Sequence, residues 1–539
     1  MKTDDALDEL CDEHLTTQGE FGNVRPIMRL KFLSWIACLS CGALTVVGQN
    51  NAAPKTISLS LDDALRRALE QNYAIRLGNF TPQTARLNLE GNYGAYDPVF
   101  QGSAGQNFTR RAGGFNSDIN QAVEGAESWN RDFAAGLTGV LPTGTRYGLD
   151  WGMDRSNQKV PAESVLGSGI FDTSRNITAE YRSSVGVSVT QPLLKDFWID
   201  STRLNTKSAK IEIKKADLAL QYLIMGIVNQ TALAYYDLIE ARDQVEVRKM
   251  ALQLKDQFLS ETQKKVAAGT MASLDEKQAQ SEQATARANL IRAHSNAEQA
   301  ENRLKGLISD NFASIHTTVL EPSEKLLAMS QPINVIESWR TGLEQRPDFI
   351  QKKHSIEQEK IQLKYTKNQL YPALDIQGSY GRAGLGGNAY DSLDTIGDNR
   401  FPRYGGGLVL TVPLSRKSER AAHRIQKISV EEALVRLKEA EEDIIRSIDT
   451  EAKKVRSAFA AIESTREARV FAEAALDAEQ KKLENGKSTN FQVLELQDNL
   501  TQARAAEIIA LTAYNKSLQD FYYAEGTTLQ RNKVVIQLK

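Results

Sequence analysis

Hydrophobic and polar residues alternate with a period of two in several short stretches of this chain, most clearly in residues 146–154, RYGLDWGMD. Successive side chains of a β-strand point to opposite faces of a sheet. One face of this stretch is apolar and the other consists of glycine and aspartate: Tyr147, Leu149, Trp151 and Met153 against Gly148, Asp150, Gly152 and Asp154. The pattern predicts a strand between an apolar and an aqueous environment.

Further stretches of this kind fall into two blocks. The first block, within about residues 98–192, contains VFQGSAGQNF, FAAGLTGVL, RYGLDWGMD and SSVGVSVT, which make two predicted hairpins. The second, within about residues 373–413, contains ALDIQGSY and GLVLTV, which make one. A shift of one residue would exchange the two faces of GLVLTV, so its orientation stays open.

The connections in the first block are predicted to be unequal. Roughly 20 residues near 111–131 and roughly 25 near 156–180 flank the short turn 142–145, against an ordinary loop of about 4 to 6 residues. Long and short connections alternate in outer-membrane β-barrels, where an apolar face meets lipid and a polar face lines the lumen. The alternative is a half-buried strand of a soluble antiparallel sheet.

Three aspartates are candidate lumen residues on this interpretation: Asp150, Asp154 and Asp375. They either tune the ion preference of the pore or keep it hydrated, and we prefer the second interpretation.

Helical periodicity replaces alternation after each block. Residues 201–268 and 418–484 contain no proline and almost no glycine, and about 68 residues of helix span roughly 100 Å. Each stretch ends at a glycine, Gly269 or Gly486, where a left-handed cap is expected before a new helix begins. These two glycines therefore mark the predicted tips of two helical hairpins.

The return paths are predicted to be assembled from shorter helices. Residues 274–308 stacked end to end on 335–370 would span the same length, as would 490–525 stacked on 61–95. This arrangement would close the chain into a ring through its terminal pieces. An elongated soluble coiled coil is the alternative for the helices alone, because charge-rich faces are usually solvated.

Internal similarity indicates a tandem duplication. Residues 67–100 match 341–374 at an offset of 274, Pro192 matches Pro413 at 221, and Gly269 matches Gly486 at 217. The first copy thus holds about 53 extra residues, which form the additional hairpin. We divide the chain into a leader at 1–53, a first repeat at 54–333, a second repeat at 334–527 and a tail at 528–539.

Composition narrows the functional classes. The formal charge is -2 and the pI is near 6.3, so there is no basic excess of the kind that nucleic-acid-binding proteins carry. Beyond residue 50 no run of about 18 apolar residues could cross a bilayer as a helix. We therefore expect no nucleic-acid partner, and expect any contact with outer-membrane lipid to be made by strands.

The N-terminus has the layout of a secretory signal. Two basic residues after Met28 precede an apolar run at 32–47 and a small, polar segment. The start site, Met1 or Met28, remains open. All three cysteines, Cys11, Cys38 and Cys41, precede the expected cleavage region, so no disulfide is expected, and lipidation at Cys38 or Cys41 stays an open alternative.

Signatures of catalysis are not found in the sequence. The five histidines are scattered without the spacing of a metal site. The NGKS at 485–488 lacks the first glycine of a phosphate loop, and GRAGLGGNA at 381–389 is expected to lead into a loop. We therefore predict no enzymatic activity, metal or cofactor.

The order of these features resembles the TolC-like outer-membrane efflux protein family over nearly all of residues 57–527. The similarity is carried by the opening LSLDDALRRALEQNYAIR, by the strand-to-helix junctions QPLL at Pro192 and VPLS at Pro413, and by the two glycine tips. The predicted fold class is an α+β membrane protein, a β-barrel in the outer membrane continued by a long α-helical coiled-coil barrel, with a tandem repeat.

The resemblance implies a homotrimer that acts as a passive exit duct. An inner-membrane transporter and a periplasmic adaptor would deliver its cargo, and the helical part would lie in the periplasm. Members of the family contribute four strands per chain, whereas the extra hairpin predicts six, and eighteen rather than twelve in the trimer. The cargo, the pump and the adaptor are not identified by the sequence.

The resemblance also implies acidic side chains at the entrance of the duct, six and nine residues beyond each tip glycine. Asp275 occupies the sixth position in the first copy and Glu495 the ninth in the second, while Gln492 replaces the acid at the sixth. Solvated tip residues without a gating role are the alternative. A periplasmic coiled-coil adaptor or structural protein is the alternative function, and a diffusion porin would not need this much helix.

Overall fold

A computed structural model describes residues 56–116, 121–160 and 175–534 of the chain. The predictions for the start site, the signal peptide and lipidation at Cys38 or Cys41 concern residues outside this part.

The described elements are strands and helices of very unequal length. The strands are β1 Thr56–Leu59, β2 Val99–Asn116, β3 Gln121–Val140, β4 Arg146–Val160, β5 Arg175–Pro192, β6 Val319–Pro322, β7 Ala373–Gly386 and β8 Phe401–Thr411. The helices are α1 Leu61–Gln71, α2 Tyr73–Gly78, α3 Phe80–Tyr93, α4 Ser201–Ala267, α5 Ser273–Ile308, α6 Phe312–Ile315, α7 Val335–Gln345, α8 Pro347–Asn368, α9 Ala389–Gly397, α10 Lys417–Glu484, α11 Asn490–Glu525 and α12 Thr528–Arg531.

Six strands form one antiparallel sheet in the order β2-β3-β4-β5-β7-β8. Both blocks of alternating sequence therefore contribute to it, with the four strands and two strands that the six-strand hypothesis requires of each chain. In the single chain this sheet is open, with β2 and β8 at its edges. Strands β2, β5, β7 and β8 join the helical part of the chain at one end of the sheet, where the short turn between β3 and β4 also lies. We call this the helix-proximal end.

The strands are longer than the alternation predicts. The prediction of a first long loop at 111–131 is wrong, because β2 continues to Asn116 and β3 starts at Gln121. The second predicted loop, 156–180, is shorter than expected, because β4 continues to Val160 and β5 already starts at Arg175. In these extensions polar residues occupy both faces of the strand, as Asn157 and its successor Gln158 do in β4. A strand with two polar faces shows no alternation of apolar and polar residues.

The glycine-rich segment 381–389 was expected to lead into a loop, and this prediction is also wrong. It is the end of β7, and α9 follows it directly. Asn388 caps this helix, since its side chain accepts a hydrogen bond from the amide of Asp391 at 2.9 Å.

The two long helices follow the prediction closely. α4 has 67 residues and α10 has 68, so each spans about 100 Å. No helix in the described part of the chain is both long enough and apolar enough to cross a bilayer.

The predicted return helices 61–95 and 335–370 are interrupted. The first is divided into α1, α2 and α3 at Asn72 and Asn79, and the second is divided into α7 and α8 at Arg346. Pro347 has no amide hydrogen to continue α7 and suits the first turn of α8. Asn72 ends α1 and caps α2 with its side chain.

The predicted stacking of the return helices is wrong. α5 meets α1 and α2, since the Asn72 amide donates to the carbonyl of Leu307 at 3.0 Å and Arg76 pairs with Asp310 at 3.2 Å. α11 meets α7 and α8, where the Arg346 guanidinium donates to the carbonyl of Ala524 at 3.1 Å. Helices α5 and α11 both have 36 residues, so length could not distinguish the two arrangements.

A buried core lies where β1 pairs in parallel with β6, a pairing that the sequence patterns did not predict. Leu59, Tyr235, Leu304 and Leu320 are almost completely buried there. The Tyr235 hydroxyl donates to the carbonyl of Leu59 at 3.0 Å, and burial raises the pKa of Tyr235 to about 12. This core anchors α1 and α5 against the middle of α4.

Candidate functional site

The two helical tips share one backbone motif. Gly269 and Gly486 have φ angles of 73° and 69°, in the left-handed region that glycine adopts without a steric penalty. The residue after each glycine donates to a carbonyl five residues earlier, Thr270 to Lys265 at 2.9 Å and Lys487 to Lys482 at 2.8 Å. This is the Schellman ending of a helix, and it turns the chain at both tips.

The candidate entrance residues are not equivalent. The Asp275 carboxylate accepts from the amide of Ala272 at 3.2 Å and so caps the start of α5. At the matching position Gln492 donates its backbone amide to the Thr489 hydroxyl at 3.4 Å. Glu495 lies exposed on α11. Asp275 therefore has a structural role as a helix cap. Glu495 is a surface residue to which we assign no structural role.

The two tips contact each other within the chain. The side-chain amide of Asn490 lies 3.3 Å from the sulfur of Met271. An apolar cluster lies next to the tips. This cluster contains Phe258, Ala279, Leu476, Val493, Leu494 and Leu500. The first hairpin is thus packed against α11 close to the tips.

A buried ammonium group crosses this contact, and we call it the Lys255 latch. Lys255 of α4 is only 3% exposed. Its Nζ atom lies 2.9 Å from Asp498 of α11, 3.4 Å from Glu282 of α5 and 3.4 Å from the carbonyl of Leu494. The latch comprises Lys255, Glu282 and Asp498, and it joins the first hairpin to the second.

Sequence reasoning missed this latch. Lys255 lies four residues after Ala251 and three before Phe258, on the apolar phase of α4. A lysine at an apolar position of an otherwise regular helix is the signal that could have identified it, because buried charges are normally paired.

The strand register places the three candidate aspartates on one face of the sheet. Asp150 lies opposite Gly136 and Gly186, and Gly186 in turn lies opposite Gly381, six residues from Asp375. Asp154 shares the face of Asp150 because the two are four residues apart on β4.

The same register gives the open orientation of GLVLTV. Leu408 lies opposite Ile376 on the apolar face, and Val409 lies opposite Asp375 on the polar face. The apolar face also carries Leu149, Trp151 and Val187, all exposed in the single chain. We refer to the two sides as the polar face and the apolar face.

One further aspartate lies on the polar face. Asp132 of β3 lies opposite Asp154 and leans over Gly105, where an added Cβ would come within 2.6 Å of its carboxylate. It was missed because the alternation predicted that this strand begins at Phe133.

Charged and backbone groups brace the junctions between strands and helices. Pro192 ends β5 and is buried, and Arg203 beyond it donates to the carbonyls of Phe197 and Asp196 at 2.8 and 2.6 Å. After β8, exposed Pro413 is followed by Arg416, which donates to the carbonyls of Pro413 and Leu370 at 3.2 and 2.8 Å. Each predicted junction proline thus precedes an arginine that binds carbonyl groups of the segments connecting the sheet with the helices.

Among the residues that the structure describes, no group of three or more histidine, cysteine, aspartate or glutamate side chains could hold a metal ion.

Comparison with known proteins points to one family. The model of the family described as outer membrane efflux protein matches residues 149–309 and 340–527, well over half of the chain. No curated protein sequence matches.

Solved structures of bacterial outer-membrane channels share the fold. The outer membrane channel CmeC of Campylobacter jejuni is 15% identical, with a TM-score of 0.62 over 87% of this chain and 86% of that one. VceC of Vibrio cholerae is 16% identical, with a TM-score of 0.62 over 86% and 96%. The open state of the Neisseria gonorrhoeae outer membrane channel MtrE is 14% identical, with a TM-score of 0.59 over 87% and 89%.

Proposed function

Because this chain belongs to the outer membrane efflux protein family, whose members are outer-membrane channels, we propose that three copies assemble into one passive duct. The six-stranded sheets would close into a barrel of eighteen strands, and the helices would continue it through the periplasm. A periplasmic adaptor and an inner-membrane transporter would supply the cargo and the free energy.

The open sheet is the observation that carries this proposal. Its apolar face is exposed and its opposite face is polar, as expected of a wall between lipid and water. The strands β2 and β8 present unpaired edges, which natural proteins cover, blunt or close. Pairing of β2 with β8 of the next copy would leave no edge. A periplasmic adaptor, the alternative function, does not account for such a sheet.

The helices leave a second unpartnered surface. Ile425, Ile428, Val435 and Phe471 of α10 are each more than 60% exposed. Exposed apolar patches of this kind mark interaction sites.

Packing within the chain indicates what would cover this surface. Helix α8 lies between α10 and α4, and Gln358 of α8 accepts a hydrogen bond from Lys215 of α4 at 3.3 Å. Under the tandem duplication, Gln358 corresponds to Thr84 of α3, and Lys215 corresponds to Glu432 of α10 at the helical offset of 217. In the described part of the chain, α4 is the one long helix with which α3 makes an extensive contact, so the second neighbour of α3 would be α10 of the next copy.

Disulfide trapping tests this assembly, since none of the three cysteines lies beyond Cys41. We expect Thr84→Cys with Glu432→Cys to give a ladder of cross-linked species that stops at three chains. Thr84→Cys with Leu434→Cys is the control, because positions 432 and 434 lie about 200° apart around the helix. Cross-linking that is equal in both pairs, or that stops at two chains, would refute the assembly.

A density map of a twelve-stranded barrel would refute the strand count.

The remaining assignments follow from the same assembly. Asp275 and Glu495 would form rings of three at the entrance, and such rings favour cations at a constriction. Asp150, Asp154 and Asp375 would line the lumen and keep it hydrated. Gly269 and Gly486 would form the tips, and Pro192 and Pro413 the transitions from barrel to helices.

A further inference from the structure

Helix α9 lies on the apolar face of the sheet, near the end that is remote from the long helices. The Ser183 hydroxyl of β5 donates to the carbonyl of Ser392 at 2.9 Å, and Ser392 is completely buried. Ser183 and Gly384 are direct neighbours across β5 and β7, on the same face as Val185 and Val187. The helix therefore covers the apolar face and does not enter the polar side.

Glycine makes this contact possible. A Cβ atom at Gly384 would overlap the carbonyl of Ser392 and come within 3.0 Å of Ile396, and one at Gly386 would lie 2.7 Å from the Cβ of Asp391. Small residues at these positions of β7 thus form a shallow seat for α9.

The same contacts orient the helix about its axis. Gly384 lies closer to the helix-proximal end of β7 than Gly386, so Ile396 faces the apolar band and Asp391 faces away from it. Residues spaced by three or four positions share a side of a helix. Leu393 and Tyr390 consequently lie on the side towards the apolar band, and Asp391, Asp394 and Asp398 lie on the opposite side.

Exposure matches this division. Tyr390 is 77% exposed and Leu393 is 42% exposed, so neither side chain is covered by the sheet. A helix with one apolar and one charged flank is expected to lie in a lipid-water interface, with tyrosine at the level of the headgroups.

We propose that α9 is an interfacial helix that binds the outer leaflet of the membrane around the barrel. Tyr390 and Leu393 enter the acyl boundary, and the three aspartates remain in water. The partner is lipid because the apolar flank of α9 continues the apolar band that contains Trp151 and Val185. This inference rests on the proposed function, which places that band in lipid.

Labels at single introduced cysteines distinguish the apolar flank of α9 from its charged flank. If the mature protein still contains Cys11, Cys38 or Cys41, these are replaced by serine first. Leu393→Cys and its neighbour Asp394→Cys are labelled with an environment-sensitive fluorophore after reconstitution into phosphatidylethanolamine and phosphatidylglycerol vesicles. We expect a nitroxide on the acyl chain to quench the label at 393 at least about twofold more than the label at 394. Aqueous iodide should show the reverse order.

Equal quenching at 393 and 394 would overturn the proposal, and so would a label at 393 that neither quencher reaches, because a protein would then cover the helix. Trp151→Cys separates this failure from failure of the proposed function. If the label at 151 is quenched by lipid and the label at 393 is not, only the role of α9 is wrong. If the label at 151 is not quenched, the sheet itself is not in lipid.

The glycine seat provides a second test. Gly384→Ala is expected to displace α9 and to abolish the difference between the labels at 393 and 394. Gly378→Ala is the matched control, since it lies on the same face of the same strand and a Cβ there would meet no atom within 4 Å. A difference that survives Gly384→Ala would contradict the proposed seat.

Discussion

The Lys255 latch predicts an unequal response to the loss of its two charges. Lys255 is buried, whereas Glu282 and Asp498 are 35% and 50% exposed at their side chains. Removal of the lysine leaves two carboxylates that water can solvate. Removal of the carboxylates leaves an ammonium group buried without a counter-charge. The second change should therefore destabilise the contact between the hairpins more than the first.

The magnitudes follow from the distances. At 2.9 Å and an effective dielectric constant of about 20, the attraction between Lys255 and Asp498 is about 6 kcal/mol before the desolvation cost is subtracted. Desolvation costs several kcal/mol per ion, so we expect Lys255→Met to lose about 1–2 kcal/mol. The double change Glu282→Gln with Asp498→Asn should lose about 3–5 kcal/mol, the range for a buried charge without its partner.

Amide hydrogen exchange of α4 and α11 near the latch measures these losses, since local opening sets the rate. Each 1.4 kcal/mol corresponds to a tenfold change, so Lys255→Met should accelerate exchange about 5- to 30-fold and the double change about a hundred-fold or more. The triple change should return to the level of Lys255→Met. The control is Lys249→Met, an exposed lysine of the same helix whose pair with Glu246 spans 3.6 Å, and we expect less than about a fivefold effect. Faster exchange in Lys255→Met than in the double change would refute the reasoning.

Three further predictions concern the tips and α4. Gly269→Ala or Gly486→Ala should destabilise its tip by about 1–2 kcal/mol because the backbone there is left-handed, whereas the control Gly306→Ala should stabilise α5 by about 0.5–1 kcal/mol. Local hydrogen exchange measures both changes. Changes of the same sign at the tips and at Gly306 would contradict the cap assignment. Asp275→Ala with Glu495→Ala should raise single-channel conductance in planar bilayers and weaken block by divalent cations, while Asp275→Asn separates charge from capping; unchanged traces would count against a gating role. Burial raises the pKa of Glu240 and of Asp243 above their ordinary values of 4.5 and 3.8, so their stabilising contribution is present below those values and is lost as the pH rises through the raised pKa. Glu240→Gln with Asp243→Asn should therefore raise the unfolding temperature more at pH 7 than at pH 4, and circular dichroism melts with equal shifts at both would contradict this.

The sequence predicted those strands whose two faces differ in polarity. Between Tyr147 and Met153 one side is apolar and the other polar, and the alternation is unmistakable. Asp132 and Asn157 lie where the signal fades, because polar residues then occur on both faces. The register of β8 could not be obtained from its own sequence either. It depends on the pairing of Leu408 with Ile376, which is a contact between strands.

The ends of the long helices were equally accessible to sequence reasoning, since a glycine with a positive φ angle marks each tip. The return paths were not, because two helices of equal length fit either arrangement. Single side chains decide between them, such as Asn72 on the carbonyl of Leu307 and Arg346 on that of Ala524. Interactions of this kind depend on tertiary proximity and leave no periodic signal.

The corrected stacking has a consequence for how the duct would open. Each half of the chain completes its own return path, α1–α3 for the first hairpin and α7–α8 for the second. The long helices of the two halves therefore meet side by side, where α4 packs against α8 and α11. The Lys255 latch closes the contact within the chain. Under the duplication, the matching contact between copies would place Ala472, Ser281 and Asn499 where Lys255, Asp498 and Glu282 lie. That contact would lack the charged latch, so in the proposed trimer we expect the tips to separate first between copies and not within one.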